Sequence, residues 1–195
     1  MNKLNPEQTN LINNHPFAQI LSANENTTKT NGEFATLSYC PLQLSHNKQL
    51  LGHLSQHNPL ISAVKNNSRV KVIFTGPQGY ISPRWHNEQI VPTWNYTTVS
   101  LVCQLTFIED NADKLKAMAD ISQHFDSQWD FNEFSQEKNH KVVQQMLSAI
   151  AVFQLTVIEV DSKFKLSQNR SMECRRAFEK NLRLVDNNSL ADIQI

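Results

Sequence analysis

Four short stretches of the 195-residue chain gather side chains able to bind and orient a ligand. In Gly52-His53-Leu54-Ser55-Gln56-His57-Asn58-Pro59 an extended run ends in imidazole and hydroxyl groups and turns into a helix start. Backbone N–H groups at a helix N-terminus attract an anion, and His53 and Ser55 add donors. Asn58 also serves as an ordinary cap before the proline. Tyr80-Ile81-Ser82-Pro83-Arg84-Trp85-His86 sets two aromatic rings around a serine and an arginine. That suits a planar ring carrying an acid, or a structural turn at a barrel rim. In Val91-Pro92-Thr93-Trp94-Asn95-Tyr96 the proline holds Val91 extended, so Thr93, Trp94 and Asn95 are presented rigidly to a planar ligand, or Trp94 is buried under a turn. Lys163-Phe164-Lys165-Leu166-Ser167-Gln168-Asn169-Arg170-Ser171 converges Lys165, Ser167, Gln168 and Arg170 in one polar turn before a helix. Such a turn holds anions; its structural reading is a cap by Asn169 with a solvated basic face.

The first two stretches lie in an unusual window. No Asp or Glu occurs between Phe34 and Trp85, yet Gly52, Gly76 and Gly79 and five basic residues fall there. The chain carries 18 acidic and 18 basic residues, so charge is segregated rather than in excess. A stretch without carboxylates suits phosphate; buried strands also exclude carboxylates. Standard phosphate loops, dinucleotide turns, zinc helices and nucleophile elbows are missing from the sequence. His53 and His57 stand four apart with no third ligand nearby, so no metal site is expected.

The elements that must position these residues follow from periodicity. Residues 17–23, 33–39, 49–55 and 70–75 read as strands, with a hairpin loop from Asn24 to Gly32 and a short helix near 59–66. Gly76-Pro77-Gln78-Gly79 reads as a turn, after which Tyr80–Ser82 is extended. From 97 to 108, Val99, Leu101, Cys103, Leu105 and Phe107 alternate with polar residues, a half-buried strand; 151–160 repeats the pattern. Between them, 113–125 and 133–150 have helical spacing, and 109–137 holds eight carboxylates turned to solvent. A last helix covers 171–184. The expected class is α+β, mainly β, with antiparallel strands in a closed or partly closed barrel.

The length allows one domain with a full core. We expect a polar arm at 1–14, one domain at 15–184 with a helical insertion near 111–150, and a tail at 185–195. No apolar run is long enough to span a bilayer, and the first residues lack a secretory core, so the expected location is the cytoplasm. Cys40, Cys103 and Cys174 read as free thiols. No helix-turn-helix is evident, and the acidic helices would repel phosphates.

Five motifs in order carry a family resemblance: His15-Pro16-Phe17-Ala18; Leu51-Gly52-His53 with Asn58-Pro59; Gly76-Pro77 with Tyr80-Ile81-Ser82-Pro83 and Trp85; Val91-Pro92-Thr93-Trp94-Asn95-Tyr96; and Lys163-Phe164-Lys165-Leu166-Ser167-Gln168-Asn169. From His15 to Leu184 the chain resembles the PaiB-type FMN-binding negative transcriptional regulators. The resemblance implies an FMN-binding split β-barrel with peripheral helices, a homodimer with flavin at the subunit interface, and a bacterial repressor. By analogy, His53, Ser55 and Asn58 approach the phosphate, and Thr36 and Ser38 run along the ring. Trp94, Asn95, Gln168 and Arg170 come from the same or the partner subunit. DNA is a partner by the family name alone. The alternatives are an FMN-dependent oxidoreductase on a small substrate and a haem-binding split barrel; no residue stands out as a required acid or base.

Overall fold

A computed structural model describes residues 4–23, 35–45, 49–64, 69–87, 91–136 and 139–195. The expected Asn24–Gly32 hairpin loop lies outside the described residues. Seven strands form one sheet in the order β2-β1-β5-β6-β7-β4-β3. They are β1 (Phe17–Ala23), β2 (Ala35–Pro41), β3 (Gln43–Leu44), β4 (Gln49–Ser55), β5 (Arg69–Ile81), β6 (Thr93–Phe107) and β7 (Ile150–Lys165). The pairs β1–β2, β1–β5, β3–β4 and β4–β7 are antiparallel, with Ala18 opposite Cys40 and Gly52 opposite Phe153. The helices are α1 (Pro6–Asn14), α2 (Pro59–Ala63), α3 (Asn111–Phe125), α4 (Phe131–Phe134), α5 (His140–Ala149), α6 (Met172–Leu184) and α7 (Asn188–Ala191). Among the described residues no helix is long and apolar enough to cross a membrane.

The chain divides into two compact units, Met1–Phe74 with Ser100–Val160, and Thr75–Val99 with Asp161–Ile195. In the first unit the edge strands β2 and β3 are consecutive in the chain, separated by Leu42 alone. The sheet therefore curls until its two edges meet at that residue, which is buried. The chain crosses between the edges and, among the described residues, no ladder joins them in the sheet order, the hallmark of a split rather than a closed barrel. Ala18, Ile20, Leu50, Leu54, Val70, Val72, Phe74, Leu101, Cys103, Leu105, Phe153 and Leu155 are buried on the inward positions of their strands. The segment read as a polar arm folds as α1, where Asn5 and Gln8 form a capping box and Leu11 and Ile12 are buried.

Two expectations are corrected here. The Gly76–Gly79 turn does not exist; β5 is continuous from Arg69 to Ile81. Its buried positions run through Val70, Val72, Phe74 and Gly76, then resume at Gly79 and Ile81, so the phase slips by one residue across Pro77–Gln78. The turn residues of the sequence serve a bulge, whose Pro77 carbonyl accepts from the Thr97 hydroxyl at 3.2 Å. The single helix expected at 133–150 is two, because Asp130 caps α4 through the N–H groups of Asn132 and Glu133, and the Asn139 amide closes its end on the Phe134 carbonyl. Phe131, Val143 and Leu147 form a small core with Leu115, Met118 and Ile150.

In the second unit, α6 and α7 bury Cys174, Phe178, Leu182, Leu190 and Ala191 with Ile81 and Leu166; Trp85 packs against that cluster. Each fully buried large side chain contributes roughly 1.5–3 kcal/mol. The tail beyond 184 thus supplies core residues, with Gln194 fully buried.

Candidate functional site

In the first unit the turn after β4 is built by hydrogen bonds. The Asn58 N–H donates to the Ser55 carbonyl at 2.9 Å, and the His57 N–H to the Ser55 hydroxyl at 3.3 Å. Asn58 Oδ1 accepts from the Leu60 N–H at 2.9 Å, the cap expected from Asn58-Pro59. The same oxygen accepts from the Ser38 hydroxyl at 2.7 Å. Asn58, from the turn motif, and Ser38, named through the family resemblance, are therefore in direct contact. Ser38 is 5% exposed, and Thr36 shares its face of β2, opposite Ser22, whose buried hydroxyl has no partner among the described residues.

His53 and Ser55 project from the other face of β4, since Leu50, Gly52 and Leu54 take the buried positions. Burial lowers the His53 pKa, so the imidazole is neutral at neutral pH and offers an N–H rather than a charge. Helix α2 has five residues, too few for a strong dipole. What the turn presents is a neutral set of hydroxyl, amide and imidazole donors in a segment without carboxylates, chemistry that suits a phosphate monoester. By contrast, a hollow of ≈ 460 Å³ in the same unit is lined by Glu109, Asp113 and Asp120 against Lys116. Three carboxylates to one ammonium oppose an anion there.

The second unit holds the remaining sequence candidates. Asn95 is fully buried; its amide donates to Gln194 Oε1 at 3.1 Å and its oxygen accepts from the Ser167 hydroxyl at 3.0 Å. Gln194 in turn donates to the Leu166 carbonyl at 2.6 Å, and its own carbonyl accepts two bonds from Arg175, at 3.0 and 2.7 Å. Gln168 accepts from the Leu166 N–H at 2.9 Å and donates to the Phe164 carbonyl. Arg170 closes the same turn through its N–H on the Ser167 carbonyl, and Ser167 adopts a left-handed backbone at φ 58°. The cap of α6 is Ser171 rather than Asn169. The polar groups of Asn95 and Gln168 are thus engaged in holding the 164–170 turn.

Trp94 is different, being 49% exposed. Its indole N–H donates to Gln78 Oε1 at 3.2 Å, and its ring lies 6.5 Å from that of Tyr80, tilted by 51°. Lys165 donates to the Trp94 carbonyl at 2.9 Å and to the Thr93 hydroxyl. Gln78, Arg175 and Gln194 were not among the sequence candidates. Gln78 sits in the expected turn, and nothing in the spacing marks Gln194.

The family described as "Putative FMN-binding domain" matches residues 2–159. The chain is 31% identical over 140 residues to "Protease synthase and sporulation protein PAI 2" of Bacillus subtilis (strain 168); the match covers 67% of this chain and 65% of that protein. This bears out the resemblance carried by the five motifs. Among solved structures, the flavocytochrome Anf3 of Azotobacter vinelandii aligns with a TM-score of 0.62 at 16% identity, over 83% of this chain and 68% of that one. An FAD- and haem-binding protein of Mycobacterium smegmatis aligns at 0.61 and 15%, over 84% and 72%. At that identity the likeness is one of fold.

Proposed function

This chain belongs to the family described as "Putative FMN-binding domain", and on that premise we propose that it is an FMN-binding, PaiB-like negative regulator. The reading is carried by one observation, the family match over residues 2–159 on a split sheet. Bound FMN supplies one- and two-electron redox chemistry; here its role is that of a sensor, with repression exerted directly or through a partner. The protein works in the cytoplasm as a homodimer with the flavin at the subunit interface. The three cysteines, all buried and none in a disulfide among the described residues, agree with a reducing compartment.

The donor set at the end of β4 supports a phosphate contact by Ser55, His53 and Asn58, with Ser38 fixing the Asn58 side chain. Thr36 and Ser38 contribute hydroxyls along one face of β2. In the second unit Trp94 and Arg170 are the proposed contacts, with Asn95 and Gln168 shaping the turn behind them. In this reading residues 15–184 make one FMN-binding domain.

The test is to purify the chain, denature it, and identify what is released. A flavin spectrum with the mobility of FMN is expected. A colourless preparation that also fails to bind added FMN overturns the proposal. Ser55→Ala and His53→Ala are expected to weaken FMN about ten- to a hundredfold each, by analogy with single hydrogen bonds to charged groups. A regulator should reduce bound flavin with nicotinamide cofactors no faster than they reduce free FMN. If DNA is contacted directly, affinity must fall with salt through counterion release; a salt-independent, sequence-independent signal leaves regulation through a partner.

A further inference from the structure

Contiguous exposed apolar patches mark binding surfaces, whereas single exposed rings need no explanation. In the second unit Tyr80 on β5 and Trp94 on β6 are 47% and 49% exposed, and β5 and β6 are neighbours in the sheet. Their positions are held from below. Gln78 accepts the indole N–H, which ties the Trp94 ring to β5. The Gln78 carbonyl accepts from the Asn187 amide at 2.9 Å. That amide sits where a side chain on Gly79 would collide with it, so the glycine is what admits the clamp. The backbone of Trp94 is fixed from the other side by Lys165. None of these bonds is needed to bury an apolar core, because the core of this unit lies around Phe178 and Leu182.

We propose that Tyr80 and Trp94 form a stacking platform for the isoalloxazine ring of bound FMN, with Gln78 as the residue that positions the indole. The inference rests on the FMN reading above. The occupant is a flat ring because the two exposed rings offer π faces and edges rather than a pocket. It is a ring with negative character because Lys165 stands beside Trp94, and the carbonyl-bearing edge of a flavin carries partial negative charge. Aromatic stacking of this kind is sequence- and substituent-tolerant, and removal of one ring weakens binding about tenfold.

The experiment titrates the full chain with FMN while following flavin emission, which a stacked indole or phenol quenches. The parent chain is expected to quench; Trp94→Leu and Tyr80→Leu each weaken binding about tenfold and restore emission from the flavin that remains bound. Gln78→Leu keeps both rings and is expected to weaken binding about threefold with partial recovery of emission. Because both rings are half exposed, the leucine variants should keep the parent circular dichroism and melting profile; if Trp94→Leu fails to fold, Tyr80→Leu decides. If the parent binds FMN and the variants bind and quench like it, the platform is wrong and the FMN reading stands. If the parent does not bind FMN, both fall. If Trp94→Leu leaves quenching intact but changes the sedimentation mass, a second copy covers this face and the stacking role is overturned.

Discussion

At Gly52 a single hydrogen in place of a side chain lets the two sheet edges meet. A Cβ there would stand 2.5 Å from Leu42 Cδ2, 3.2 Å from Cys40 Sγ and 3.3 Å from the Phe153 ring. All three belong to the interior, so none can swing into solvent. Gly52→Ala should therefore destabilise the fold by about 1–3 kcal/mol, read as a lower urea midpoint; an unchanged midpoint would show that Leu42 has room to move. The Cys40 thiol beside it is pushed up to about 11 by burial, and Cys103 to about 12, so both are inert to thiol reagents in the folded chain at neutral pH. His53 makes a pH prediction. Its folded pKa lies below the ordinary 6.5 because burial disfavours the cation. The unfolded chain therefore takes up more protons once the pH drops under 6.5, so stability is full above that value and is lost as the pH falls through the folded pKa. His15 shifts the same way. Stability measured by denaturant at a series of pH values should decline below 6.5, and His53→Gln should flatten that decline; an unaltered slope would assign it to His15 or elsewhere.

Among the elements, those with a strong periodic signal were legible and those defined by their ends were not. Strands 17–23 and 49–55 stand where the alternation puts them, and so does the buried row of Val99, Leu101, Cys103 and Leu105. β5 was misread because Gly and Pro mark turns by composition, whereas here the carbonyls of Pro77 and Gln78 are taken by Thr97 and Asn187, 20 and 109 residues away. Short α2 depends on one side chain for its start, Asn58, which Ser38 braces from β2. Asn58→Ala should lower stability by about 1–2 kcal/mol, the loss of a cap together with an orphaned Ser38 hydroxyl. Ser38→Ala in the Asn58→Ala background should then have little further effect in a double-mutant cycle; additive losses would mean the two residues act independently.

For the whole molecule, β5, β6 and β7 each run unbroken from one compact unit into the other. If the chain is one cooperative domain, calorimetry should give a single transition whose van't Hoff and calorimetric enthalpies agree; two resolved transitions would make the units independent. The segregation of charge also acts at this scale. Carboxylates concentrate at 109–137, three of them (Glu109, Asp113 and Asp120) lining the ≈ 460 Å³ hollow, and are missing from 35–84, so the chain keeps an anion-tolerant segment without any net charge. The sequence by itself determined the family, the α+β class and the periodic strands, because motif order and alternation are written locally along the chain. It also named Asn58, Ser38 and Trp94 as candidates. Only the tertiary structure decided what each does. Asn95 meets Ser167 across 72 residues and Gln194 across 99, and so is engaged in the scaffold, while Trp94 next to it is held half open by Gln78. A hydrogen-bond partner at such separation has no local signature, since it is selected by the packing of distant strands rather than by the spacing of neighbours.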